Sequence, residues 1–81
     1  MLDMEKIYTE LIDFRVEQIS NDEQRYEILS SQIENASDEE RVSLNERLNR
    51  VATSLNGRRA NLVMLQNKLA EIRGEKNEAN S

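Results

Sequence analysis

Four leucines, Leu48, Leu55, Leu62 and Leu69, stand at strict seven-residue intervals. Leu44, Val51, Leu65 and Ile72 fill the alternate three- and four-residue steps, and only Arg58 breaks the apolar register between 44 and 72. A repeat averaging 3.5 residues keeps one stripe of a helix turned toward a neighbouring helix, as in a coiled coil. The pattern constrains shape far more than role, because it demands a helical partner without saying whose.

The rest of the composition agrees with long helices. Proline is absent, glycine occurs only at 57 and 74, and 33% of the residues are charged. With 81 residues there is room for one small domain, and a chain of this size has difficulty burying enough apolar area to offset its chain entropy unaided. Disulfides and thiolate metal sites are ruled out by the lack of cysteine, and the lack of histidine removes the commonest transition-metal ligand. Association with another chain is the remaining source of support. The opening MLDMEKIYTE carries acidic residues where a secretory leader carries basic ones, and no apolar run approaches the ~20 residues of a membrane span. A cytoplasmic protein is expected.

Read in order, the chain predicts helix 1 over about 3–35, a turn at about 36–37, helix 2 over about 38–73 and a frayed polar tail over 74–81. Ser37 followed by Glu40 forms a capping-box pattern, and Asp38, Glu39 and Glu40 suit the positive end of a new helix dipole. Asn56-Gly57 is the doubtful place in helix 2, yet the heptad register passes through it without a phase shift. Charge separates between the helices. Residues 1–36 hold nine acids against Lys6, Arg15 and Arg25, whereas 41–73 hold seven basic residues against Glu46 and Glu71. The fold class expected is therefore all-α: an antiparallel two-helix hairpin, coiled-coil-like, that dimerises into a four-helix bundle.

A turn centred near 36 and 37 sets Leu29 against Leu44, Ile19 against Leu55, Ile12 against Leu62 and Tyr8 against Leu65. Ile12, Ile19, Tyr26 and Leu29 are then the expected cover for the leucine stripe. Arg58 falls level with Arg15 on the seam, with Asp22 further along. Long side chains that snorkel to the rim are the expected arrangement, and a polar layer that fixes register is the alternative. In either case Arg58→Leu is expected to raise the melting temperature.

The heptad does not explain the apolar residues of the N-terminal half. Met4, Ile7, Leu11 and Phe14 form a second row beside Tyr8, Ile12, Val16 and Ile19, making a face wider than one partner helix covers. The hairpin brings Val63 and Met64 to the same end. Met4, Ile7, Leu11, Phe14, Val63 and Met64 are accordingly the candidate partner-binding residues, exposed in a single copy and buried in a homodimer or higher homo-oligomer.

Catalysis is not expected. Cys-His and Ser-His machinery is excluded by composition, the carboxylate pairs fall on solvated faces or in a first helical turn, and no phosphate-binding or calcium-loop pattern occurs. No catalytic, cofactor-binding or metal-binding residue is assigned. Arg47, Arg50, Arg58, Arg59, Lys68 and Arg73 run along helix 2, but no aromatics interleave with them, and pairing with the acids of helix 1 is expected over nucleic-acid binding. The function expected is a non-enzymatic interaction module acting as an assembly, scaffold or adaptor protein. The alternatives are a small inhibitor or chaperone docking its wide apolar face on a larger protein, and an accessory nucleic-acid binder through helix 2.

Overall fold

The computed structural model describes residues 2–79 of the chain, with side chains for 2–75. Two helices make up the fold: α1 (Met4–Glu34) and α2 (Asp38–Ala79). They pack antiparallel into a rod of 64 × 17 × 15 Å. Among the described residues no strand occurs and no helix is long and apolar enough to cross a membrane.

Each helix begins where a short polar side chain replaces the missing intrahelical partners. Asp3 caps α1, its Oδ1 accepting from the Lys6 amide at 3.2 Å. Ser37 caps α2, its Oγ accepting from the Glu40 amide at 3.4 Å while its carbonyl accepts from the Arg41 amide. The capping box is half made, since the Glu40 carboxylate does not return to the Ser37 amide. Residues 35–37 close the hairpin. The Asn35 and Ala36 amides bond back to the Gln32 and Ile33 carbonyls, and Arg41 Nε donates to the Ile33 carbonyl from the opposite helix. Ser37→Ala should cost about 1 kcal/mol of stability in a urea melt, the usual loss for an N-cap.

Helix α2 runs unbroken through Asn56-Gly57 and continues through Gly74, beyond the end near Arg73 that the sequence suggests. No described residue has a positive φ, so neither glycine forms a left-handed terminus. An added Cβ at either would meet nothing within 4 Å. Both are helical glycines at a cost of ~1 kcal/mol relative to alanine, too little to end a helix that is otherwise supported. Residues 80–81 of the expected tail lie outside the described residues.

The core is thin. Ile19, Leu55 and Leu69 are the buried apolar side chains, while Ile12, Leu29, Leu44, Leu48, Val51, Leu62, Leu65 and Ile72 are half-buried along the seam. Tyr26, expected as cover for the leucines, is exposed. Two helices share one line of contact and cannot enclose the sides of their own seam residues.

Candidate interaction surface

At mid-seam the structure reverses an expectation. Arg58 does not snorkel to the rim: its Nη1 donates to Asp22 Oδ2 at 2.7 Å, and Ser54 Oγ donates to the same oxygen at 3.3 Å. Asp22 is 3% exposed, more buried than any apolar residue described. The partner is thus one heptad nearer the tip than Arg15. Cα–Cβ bonds lean toward the N-terminus of their helix, which for α2 is the tip, so long side chains of α2 reach tipward. Arg59 with Glu23 (3.2 Å) and Arg73 with Glu5 (3.2 Å) reach in the same direction. Arg15 instead donates to Gln18 within α1, and its Nε is buried with no described hydrogen-bond partner, as is Asn61 Oδ1.

Rows spaced by seven residues divide the rod into two flanks. Glu23 and Glu27 line one groove together with Ala52, Asn56 and Arg59, so the α1 row through Val16 and Glu23 shares a flank with the α2 row through Ala52, Arg59, Gln66 and Arg73. On that flank the arginines are neutralised by Glu23 and Glu5. Gln32 and Asn35 line a different groove together with Glu40. The α1 rows Met4-Leu11-Gln18-Arg25-Gln32 and Ile7-Phe14-Asn21-Ile28-Asn35 therefore share the opposite flank with the α2 row Glu40-Arg47-Ser54-Asn61-Lys68. Arg50, Gly57, Met64 and Glu71 form the next row outward, and Met64, Lys68 and Glu71 border a common groove with Tyr8. We call this second face the open flank.

Of the six residues singled out by sequence, Met4, Ile7, Leu11, Phe14 and Met64 fall on the rows of the open flank, and Val63 borders the groove beside Met64. Met4, Leu11, Phe14 and Met64 are exposed, Phe14 at 58% and Met64 at 60%, while Ile7 is half-buried against the rod. Val63, 55% exposed, borders the same groove as Met64, together with Tyr8, Ala60 and Lys68.

Sequence reasoning passed over two features of the open flank. Ile28 is 58% exposed and completes the Ile7-Phe14 row toward the tip. Arg25, Arg47 and Arg50 gather there and make no hydrogen bond or ion pair with a described residue. Arg47 and Arg50 sit at different heptad positions, yet a three-residue step places them side by side on one helix face. Pairing with α1 acids holds for Arg58, Arg59 and Arg73 and not for these three. Among the described residues no group of acidic side chains could hold a metal ion.

Comparison with protein-family models, curated proteins and solved structures finds no match to this chain.

Proposed function

We propose that the chain is a non-enzymatic protein–protein interaction module: a cytoplasmic homodimer of helical hairpins that serves as an assembly, scaffold or adaptor protein. The observation that carries this reading is the open flank, where Met4, Leu11, Phe14 and Met64 are exposed on one side of a rod that buries only three apolar side chains among the described residues. Each side chain of that size gains ~1.5–3 kcal/mol on burial, so covering the flank supplies what a lone hairpin lacks. A second copy is the simplest cover, because an isologous contact needs no other gene product. Its function is then what the assembled bundle presents: long polar faces on a rigid rod.

Light scattering on the purified chain should give twice the 9.4 kDa chain mass together with high helicity. A well-folded particle of single-chain mass at tens of micromolar would overturn the reading. A single-chain mass with poor helicity would replace it with folding on a larger protein.

A further inference from the structure

Resting on the homodimer reading, we propose that the second copy lies on the open flank in antiparallel orientation, tip to open end, about a two-fold axis that crosses the rod near Gln18 and Asn61. In this arrangement α1 packs on the partner's α1 and α2 on the partner's α2, each antiparallel.

The residues of the flank are self-complementary about that point. On the outer rows of α2, Arg47 and Arg50, with Arg25 beside them, lie toward the tip together with Glu40, and Glu71 and Glu75 lie toward the open end, where Glu71 also pairs with Lys68 at 3.4 Å. Antiparallel packing brings Arg50 to the level of Glu71, and Arg47 to that of Glu75. The same axis sets Ile7 against Ile28, covering the isoleucine that the hairpin leaves 58% exposed. It also brings Met64 to Gly57, a position with open space at its missing side chain, and Phe14 to Asn21. The same axis sets Leu11 against Arg25 and Met4 against Gln32, where the aliphatic stems of the longer polar side chains lie over them.

The parallel alternative, with both tips at one end, matches the apolar halves to each other but sets Arg25, Arg47 and Arg50 against their own copies. Six guanidinium groups, with only the two Glu40 carboxylates a heptad away on the same rows, are a penalty against that partner geometry. Area is sufficient. A face of 64 × 17 Å offers on the order of 1,000 Å² per copy, against roughly 800 Å² per partner in interfaces of standard size.

The chain has no cysteine, so a single spin label can be introduced cleanly by Glu39→Cys at the tip. With a 1.5 Å rise per residue, the antiparallel dimer separates the two labels by about 60 Å, whereas the parallel dimer holds them within about 20 Å. A short distance in a particle of dimer mass overturns the orientation and leaves the homodimer standing. A single-chain mass with no intermolecular distance overturns both. Charge reversal gives the second arm. Arg50→Glu and Glu71→Arg alone should each weaken dimerisation about ten-fold or more, and the two combined in one chain should restore it. Equal dimerisation in all four proteins overturns the pairing. Duplex DNA retained at physiological salt and lost in the Arg47→Ala/Arg50→Ala variant would assign the cluster to phosphate and overturn it as well.

Discussion

Arg58→Leu should destabilise the protein severely, although it repairs the one gap in the leucine stripe. Asp22 is 3% exposed and its Oδ2 takes 2.7 Å and 3.3 Å bonds from Arg58 and Ser54. Leucine at 58 leaves the carboxylate buried with a single hydroxyl partner, and stranding one member of a buried ion pair costs about 3–5 kcal/mol. The gain from burying the leucine, ~1.5–3 kcal/mol, does not cover that loss. Urea melts followed by circular dichroism should show the midpoint falling sharply or helicity vanishing. Asp22→Leu/Arg58→Leu together should recover most or all of the stability, because removing both charges also removes their desolvation. A rise in midpoint for the single variant would show that Asp22 does not depend on Arg58.

Phe14→Asp should yield monomers while Val16→Asp leaves the mass unchanged, although both residues are large, apolar and exposed in the single hairpin. In a two-fold dimer on the open flank the phenylalanine is buried twice. Losing ~1.5–3 kcal/mol per copy then weakens dimerisation on the order of 10²–10⁴-fold, before the cost of burying two carboxylates. Val16 lies on the opposite flank, in the row of Glu23, where a carboxylate stays in water. Light scattering across a dilution series separates the two outcomes. Phe14→Ala, which adds no charge, should weaken the dimer in the same direction. Unchanged mass with intact helicity for Phe14→Asp would remove the open flank from the interface, and dissociation of Val16→Asp would move the interface to the other side.

The hairpin is legible in the sequence because its causes are local and periodic. Leucines every seven residues, an N-cap serine followed by acids and the absence of proline each act within a turn or two, and the helices form where they indicate. Asp22 is not legible in that way. A lone aspartate on a seam reads as solvated until its partner is known, and the partner is 36 residues away across a register that side-chain lean moves tipward by a heptad. The open flank stands between these cases. Met4, Ile7, Leu11 and Phe14 are visible as an excess row, and Val63 and Met64, picked out beside them, border one groove. The grouping of Arg25 with Arg47 and Arg50 requires knowing which side of α1 meets which side of α2, and that follows only from residues lining shared grooves.

Leu55 and Leu69 lie two heptads apart on α2, about 21 Å at 1.5 Å per residue, so the buried apolar residues do not gather in one cluster. Each layer of the seam touches only the layers on either side of it, so stability accumulates along the axis as it does in a stack of repeats. Length is consequently a free variable of this fold. A heptad excised from α1 together with the facing heptad of α2 would leave every other layer intact, and a heptad pair inserted would lengthen the rod by about 10 Å at 1.5 Å per residue. The layer containing Asp22, Ser54 and Arg58 is the exception, because no other layer can replace it. Around that fixed point the rod can be cut or extended to fit whatever distance its partners require.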